Sequence, residues 1–213
     1  MLGAAAIGLA FPLLTGLPGA EENVIPRFAS KWFVGKGAEE QPTMQYLVKT
    51  PDMEFIAELN FSDQIDDDQN ITVTIHDKKT GEDFVDDLKI GKAYVFEGES
   101  DEIKPYVHAL DTTVFSIRDT VVEPKYLVVG AEWGTTYIGK FTPKLKITDY
   151  GDTEFQFGKL KTYTVSYKIN DIENKLLIVD NLPLPVKGEF YDIAGNFVYS
   201  FELVDLESSL LTK

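Results

Sequence analysis

The acidic stretch at residues 63–70, which reads DQIDDDQN, has the residue types of a calcium site. Asp66, Asp68 and Asn70 occupy alternate positions, and side-chain oxygens of this kind suit calcium. An EF-hand loop requires glycine at its sixth position. In a loop that begins at Asp66 this position is Ile71, so the EF-hand interpretation fails. Two interpretations remain: a looser surface calcium site at Asp66, Asp68 and Asn70, or a solvated β-turn.

The residues needed for familiar catalytic chemistry are missing or isolated in this chain of 213 residues. It contains no cysteine, which excludes thiol catalysis, thiolate metal sites and disulfides. Its two histidines, His76 and His108, lie far apart, and neither has a second histidine at metal-ligand spacing. There is no Gly-x-Ser-x-Gly elbow. The sequence therefore predicts a protein that is not an enzyme and has no cofactor, apart from the calcium hypothesis.

Two Asn-x-Ser/Thr triplets are candidate N-glycosylation sites, at Asn60 (NFS) and Asn70 (NIT). Both lie in residues 51–120, which hold 18 acidic and 6 basic side chains and most of the net charge of −15. This concentration of charge predicts an outward, solvated surface. A surface of this sign repels phosphate, so we expect no nucleic-acid partner.

The first twenty residues, MLGAAAIGLAFPLLTGLPGA, contain no charged side chain. One interpretation is a secretory signal with its apolar core at about residues 2–14. A second is a membrane anchor, since an ideal helix of about 19 residues reaches roughly 28 Å. A third is an arm that docks into a neighbouring subunit as an added strand. We therefore expect an exported protein of the cell envelope or extracellular space, whose residues 1–20 contact a membrane or a neighbouring subunit.

The rest of the chain alternates apolar and polar residues in short runs, which is typical of half-buried strands. The clearest run, residues 161–170, places Tyr163, Val165, Tyr167 and Ile169 on one face. Turn sequences such as DKKTG, NDIEN and LPLP separate the runs. The pattern predicts an all-β fold with few helices, either a curved antiparallel sheet or a β-sandwich with short turns, preceded by the apolar segment.

The same pattern predicts two β regions after residues 1–20, an acidic one at residues 21–122 and a C-terminal one at residues 123–213. They form either two parts or one continuous domain. The local predictions are a short helix or turn at residues 26–33, a strand at residues 113–118, a turn at residues 150–152, and a frayed helix or tail at residues 205–213.

Residues 133–205 resemble known proteins. Within them, residues 175–192 read KLLIVDNLPLPVKGEFYD and precede IAGNFVYSFELVD, with a Trp-Gly pair and KTYTVSY upstream. This arrangement is similar to uncharacterised exported β-rich envelope proteins of ammonia-oxidising archaea. The hairpin around LPLPVK is also similar to the LolA-like lipoprotein-carrier fold. The resemblance implies an exported all-β protein, and the carrier fold implies a sheet covered by helices that enclose an acyl chain. Such covering helices are not evident in this sequence.

Two functions are expected from these features. The first is a non-enzymatic structural or accessory subunit of a surface assembly, which is a filament or another homo- or hetero-oligomeric complex. The second is a module with a LolA-like curved sheet that binds a lipid or another apolar ligand. Aromatic residues of the C-terminal region either line a ligand groove or, as strand spacing favours, form the core and cross-strand pairs. They are Tyr163, Tyr167, Phe190, Tyr191, Phe197, Tyr199 and Phe201.

Overall fold

The computed structural model describes residues 29–65, 68–91, 94–121, 123–135 and 142–209. Within these ranges the chain forms short and long strands and one α-helix, α1 (Lys104–Thr112). The strands are β1 (Lys31–Trp32), β2 (Thr43–Lys49), β3 (Glu54–Ile65), β4 (Asp68–Asp77), β5 (Asp83–Ile90), β6 (Phe96–Glu97), β7 (Lys125–Tyr126), β8 (Glu132–Thr135), β9 (Lys144–Phe155), β10 (Gly158–Ile169), β11 (Ile172–Ile178), β12 (Lys187–Tyr191) and β13 (Phe197–Glu207). Short 3₁₀ helices lie at Ala38–Glu40 and Arg118–Thr120. The predicted all-β class with few helices is confirmed.

One antiparallel sheet joins eleven of the described strands in the order β6-β5-β4-β3-β2-β13-β12-β11-β10-β9-β8. The two remaining strands, β1 and β7, pair with each other. The first and last long strands, β2 and β13, meet at the centre of the sheet, where Phe201 lies opposite Val48. The predicted regions 21–122 and 123–213 therefore contribute strands to the same open sheet.

The sheet has one buried face, which follows from the alternation in the sequence. In β2, Met44, Tyr46 and Val48 are buried, while the residues between them are half-buried. In β4, Ile71 and Val73 are buried with the same period of two. Successive side chains of a strand point to opposite faces, so this period places the buried apolar residues of these two strands on one side. Segments outside the sheet cover that side.

The first covering segment, residues 29–40, is held by Trp32. The indole of Trp32 is fully buried and stacks on Trp133 of β8, with ring centroids 6.0 Å apart. Its Nε1 donates a hydrogen bond to the Leu182 carbonyl oxygen at 2.9 Å. Trp32 therefore connects this segment both to the edge strand β8 and to the loop between β11 and β12.

The second covering segment, residues 103–121, consists of α1 and the turns after it. Tyr106 of α1 packs against Phe55 of β3 and Phe84 of β5, with ring centroids 5.3 Å apart in each pair. The helix begins with a proline in its first turn, a position where the missing N–H has no intrahelical acceptor to lose. The segment thus provides the helical cover that was not evident in the sequence.

The strand predicted at residues 113–118 is wrong, because this stretch turns back on the end of α1. Thr113 donates from Oγ1 to the Ala109 carbonyl oxygen at 2.7 Å. The Arg118 guanidinium donates hydrogen bonds to both carboxylate oxygens of Asp111. These bonds fix a tight conformation, and the β-propensity of residues 113–118 (TVFSIR) is overridden by tertiary contacts.

Three other local predictions differ from the structure. The turn predicted at residues 150–152 lies inside β9, because pairing with β10 continues through all three residues. The tail predicted at residues 205–213 begins too early, since β13 continues to Glu207. For residues 26–33, positions 26–28 lie outside the described residues, and the rest includes strand β1 instead of a helix.

Candidate ligand-binding site

A cavity of about 320 Å³, here called the aromatic cavity, lies between the sheet and the second covering segment. Strands of the C-terminal half form its floor, and the turns after α1 form its roof. Its lining consists of Ser116, Ile117, Thr120, Leu145, Tyr167, Leu176, Phe190, Tyr191, Asp192, Val198 and Tyr199. A mostly apolar and aromatic lining with a few polar groups is typical of small-molecule sites.

The floor of the aromatic cavity is a row of rings on adjacent or nearby strands. Phe190 of β12 lies 4.5 Å from Tyr199 of β13 and 6.3 Å from Tyr167 of β10, measured between ring centroids. Gly188 allows these rings to lie close to the backbone, because a Cβ there would be 2.5 Å from Cε1 of Phe201 and 2.8 Å from Cε2 of Phe190. The floor therefore depends on a glycine within strand β12.

Val198 reaches the mouth of the aromatic cavity because of a β-bulge. Phe190 pairs with Tyr199 and Tyr191 pairs with Phe197, so the register skips Val198. A bulge adds local twist and redirects side chains. Val198 consequently lines the cavity beside Tyr199, although neighbours in a regular strand point to opposite faces, and it remains 40% exposed.

The roof is attached to the floor by one hydrogen bond between distant parts of the chain. The Tyr199 hydroxyl donates to Ser116 Oγ at 3.1 Å. On the other side of the roof, Phe115 packs edge-to-face against Phe96 with ring centroids 4.8 Å apart. The turns after α1 are thus held between β6 and β13, and the cavity lies beneath them.

A buried amide without a complete set of partners lies beside the aromatic cavity. Asn174 of β11 is fully buried, and its Oδ1 accepts a hydrogen bond from the Tyr191 backbone N–H at 2.6 Å. Its Nδ2 has no hydrogen-bond partner among the described residues. Asn174 lies directly opposite Tyr167 in the pairing of β10 with β11. Both neighbours, Tyr167 and Tyr191, line the cavity.

Burial raises the pKa of two of the cavity tyrosines, Tyr167 and Tyr199. It raises the pKa of Tyr167 from 10.0 to about 12, and it raises the pKa of Tyr199 further. A group whose pKa rises on folding contributes stability that is complete below its unfolded pKa and is lost as the pH rises through its folded pKa. For Tyr167 this window runs from pH 10 to about pH 12.

We therefore expect the free energy of unfolding to fall as the pH rises from 10 to 12, with a smaller decrease in Tyr167→Phe. Denaturant unfolding followed by circular dichroism, with tyrosinate absorbance recorded in parallel, measures both effects. Ionisation of all ten tyrosines near pH 10 in the folded protein would contradict the burial of this group.

A second cavity, of about 380 Å³, lies beside α1 and differs in chemistry. Charged groups of both signs line it, together with Val95, Phe96, Pro105 and Val107. The charged and polar lining residues are Glu99, Asp101, Lys104, His108 and Asp111. Asp111 is already engaged by the Arg118 guanidinium. This cavity lacks the row of aromatic rings, so the aromatic cavity is the better candidate for an apolar ligand.

The predicted calcium residues lie at the hairpin between β3 and β4. Asp66 lies outside the described residues. Asp68 is the first residue of β4, and Asn70 follows two positions later in the same strand. The side-chain Nδ2 of Asn70 donates to the Asp63 carbonyl oxygen at 3.0 Å. Within the described part of the chain, no group of three or more His, Asp or Glu side chains is arranged to hold a metal ion. The calcium site stays a prediction.

Both glycosylation candidates lie on strands. Asn60 is in β3 and is exposed, and Asn70 is in β4 and is half-buried. The two triplets face each other across the hairpin, since Asn60 pairs with Thr72. Asn60 is the more accessible acceptor, and glycan occupancy at either position stays a prediction.

The two histidines are separated by the fold. His76 of β4 lies 2.7 Å from a carboxylate oxygen of Asp83, measured from Nδ1, on the exposed face of the sheet. His108 lies in α1, not in a strand, and lines the second cavity. The structure therefore does not bring them into a common site.

The aromatic residues singled out in the sequence divide between two roles. Tyr167, Phe190, Tyr191 and Tyr199 line the aromatic cavity, as the groove interpretation expected. The others are in the core or in cross-strand pairs, as strand spacing favours. Phe201 is buried in the core, Tyr163 stacks on Tyr150, and Phe197 packs edge-to-face against Tyr191. The roof residues were not identified, because the turns after α1 were interpreted as a strand. The exposed bulged Val198 gave no sequence signal of its own.

Comparison with known proteins finds fold-level similarity at most. No family model and no curated protein matches this chain. A predicted exported protein with a YmcC-like fold from Bacteroides fragilis is 8% identical and superposes with a TM-score of 0.39, covering 84% of this chain and 100% of its own. A predicted lipoprotein from Parabacteroides distasonis is 12% identical, with a TM-score of 0.38 and coverage of 85% and 100%. Scores this low assign neither function nor location, and the resemblance to archaeal proteins stays a prediction.

The described helices give no membrane-spanning candidate. The helix α1 has nine residues, and no helix in the described ranges is long and apolar enough to cross a bilayer.

Proposed function

We propose that this protein is a non-enzymatic protein of the cell envelope or extracellular space that binds an apolar ligand in the aromatic cavity. The observation that supports binding is the cavity itself, about 320 Å³ in volume and floored by the rings of Tyr167, Phe190 and Tyr199. Pockets of about 300–1,000 Å³ with such linings are the usual sites of small ligands. The apolar residues 1–20 and the two glycosylation triplets support an exported location.

The ionisable chemistry of the cavity supports binding without catalysis. The carboxylate in its lining is that of Asp192, and it caps its own turn. Hydrogen bonds from the Asn196 side chain and from the backbone N–H groups of Asn196 and Ala194 hold the pKa of Asp192 below its usual value. A general base near neutral pH needs a raised carboxyl pKa and a free oxygen. Asp192 has neither property.

Fluorescence titration with N-phenyl-1-naphthylamine, an uncharged aromatic probe, tests the binding. We expect saturable binding of one probe per chain with a dissociation constant on the order of micromolar, because the cavity has the volume of a site for a ligand of drug-fragment size. Denatured protein serves as the control for non-specific partition. A folded protein that gives no saturable signal would exclude ligand binding in this cavity.

A second candidate function, a subunit of a surface assembly, is supported by the open edge of β9. The strand β8 pairs with Lys144–Lys146, and no described strand pairs with residues 148–155 on the side away from β10. An unpaired edge of this length accepts an added strand from another chain. The apolar residues 1–20 of a second copy are the proposed donor of that strand.

Gly151→Lys tests assembly through this edge. Gly151 lies within the open stretch, and a Cβ there would meet no atom within 4 Å, so the monomer tolerates the change. Lysine on an edge strand opposes strand addition. We expect the unmodified chain to form oligomers in analytical ultracentrifugation and Gly151→Lys to be monomeric. Thr112→Lys, at the exposed end of α1, is the matched control and should assemble normally.

Negative-stain microscopy of the same samples distinguishes the two forms of assembly. Helical polymers indicate a filament subunit, and small discrete particles indicate an accessory subunit. A strictly monomeric unmodified chain that includes residues 1–20, or Gly151→Lys oligomers identical to those of the parent, would contradict assembly through β9.

A further inference from the structure

Two hydrogen-bond donors at the aromatic cavity have no partner in the described protein. The first is Nδ2 of Asn174, which is fully buried while Oδ1 of the same amide is held by the Tyr191 backbone. A buried donor that is left unsatisfied destabilises the folded state, so such groups in native structures usually meet a water or a ligand. The second is the hydroxyl of Tyr167, whose ring packs on Phe190.

These two donors are cross-strand neighbours. Asn174 and Tyr167 are directly opposite each other in the antiparallel pairing of β11 with β10. Opposed residues of this kind point to the same face of a sheet, with their Cβ atoms about 4.5–5.5 Å apart. Tyr167 lines the cavity, and the Tyr191 residue that anchors Asn174 lines it as well. Tyr167 is therefore the donor in the cavity lining, and Asn174 is fully buried beside it.

The charges of the cavity lining indicate which type of hydrogen-bond acceptor the ligand carries. Among the described residues, the lining includes the carboxylate of Asp192 and no basic side chain. The chain as a whole has a net charge of −15. An anionic head group would find no cation in the cavity and would be repelled by its surroundings. The hydroxyl of Tyr167 stays protonated in the neutral pH range, because burial raises its pKa to about 12. A neutral oxygen acceptor suits these neutral donors.

From these contacts we propose that the ligand is an uncharged apolar molecule with a carbonyl-type oxygen, which accepts a hydrogen bond from the Tyr167 hydroxyl. This inference rests on the proposed function, since it names the ligand class of the same cavity. Leu176, the cavity residue two positions after Asn174, and Phe190 provide apolar contacts for the remainder of the molecule.

A matched pair of probes tests the inference on the full chain. 2-Acetylnaphthalene and 2-ethylnaphthalene share the same ring system and nearly the same size, and differ in the carbonyl oxygen. In equilibrium dialysis we expect the ketone to bind up to about tenfold more tightly than the hydrocarbon, the effect of one satisfied hydrogen-bond donor. In Tyr167→Phe, which removes only the hydroxyl, this ratio should fall to about 1–3.

Tyr163→Phe is the control, because Tyr163 lies on the same strand, stacks on Tyr150 at 4.3 Å and does not line the cavity. It should preserve the preference for the ketone. Equal binding of both probes by the unmodified protein would overturn the inference and leave apolar-ligand binding intact. An unchanged ratio in Tyr167→Phe would overturn the assignment of the donor. Binding of neither probe would contradict the proposed function and the inference with it.

Discussion

Replacing Trp32 by alanine is expected to lower the free energy of unfolding by about 3–5 kcal/mol, the usual cost of truncating a buried tryptophan. Trp32 is fully buried and stacks on Trp133 at 6.0 Å. Its Nε1 also satisfies the Leu182 carbonyl, which would lose this partner. The substitution therefore removes contacts that join the first covering segment to both β8 and the loop between β11 and β12.

Urea unfolding monitored by circular dichroism measures this loss. Phe33→Ala is the matched control, because Phe33 is the next residue and is 39% exposed, and it should cost no more than about 1 kcal/mol. Trp32→Phe keeps a ring in the core and provides a folded variant if the alanine variant does not fold. Equal stability of Trp32→Ala and Phe33→Ala would show that the first covering segment is not part of the cooperative core.

Val198→Trp is expected to weaken binding of N-phenyl-1-naphthylamine at least about tenfold, equivalent to about 1.4 kcal/mol. Val198 lies at the mouth of the aromatic cavity on a bulge and is 40% exposed. An indole at this position occupies the entrance without adding volume to a closed core. Stability should therefore change little, since exposed strand positions accept aromatic residues well.

Val85→Trp is the control for the added indole. Val85 of β5 is 66% exposed and does not line the cavity, so this variant should bind the probe as the unmodified protein does. Equal affinities of Val198→Trp and the unmodified protein, with both folded, would show that the probe does not enter through this mouth.

The strands were predictable because the alternation of apolar and polar residues that indicates a strand lies within the strand's own sequence. The alternation in residues 161–170 predicts β10, and the structure places Val165 and Ile169 on the buried side as expected. The same reasoning failed where pairing between strands outweighs the preference of a single residue for a turn. Gly151 suggested a turn, yet it pairs with Thr162 within the long ladder of β9 and β10, which outweighs the local preference of glycine.

The helix α1 was missed because its sequence signals are weak in isolation. It is nine residues long, a length at which helices depend on tertiary contacts. In retrospect, Pro105 in the first turn and the buried Tyr106, Val107 and Leu110 form one apolar face. Because β-branched residues favour strands, those that follow the helix led to the prediction of a strand at residues 113–118.

The aromatic cavity illustrates the limit of sequence reasoning for the site. Its floor rings were recognisable as a set, but the same spacing describes a packed core. The roof distinguishes a ligand cavity from a packed core. It is formed by residues distant in sequence, since Ser116 accepts a hydrogen bond from Tyr199, 83 positions away along the chain. Likewise, the unsatisfied Nδ2 of Asn174 is visible only once its neighbours are placed. Contacts between residues so far apart along the chain leave no local sequence pattern from which they could be predicted.

Methyl-resolved NMR of the full chain, titrated with N-phenyl-1-naphthylamine, tests ligand binding in the aromatic cavity most directly. We predict saturable shifts of the methyl groups of Ile117, Leu145, Leu176 and Val198, which line the cavity. The methyl groups of the remote core in β4, such as Val73, should not shift. Unchanged cavity methyl groups at saturating probe, or shifts confined to other parts of the protein, would contradict the proposed site.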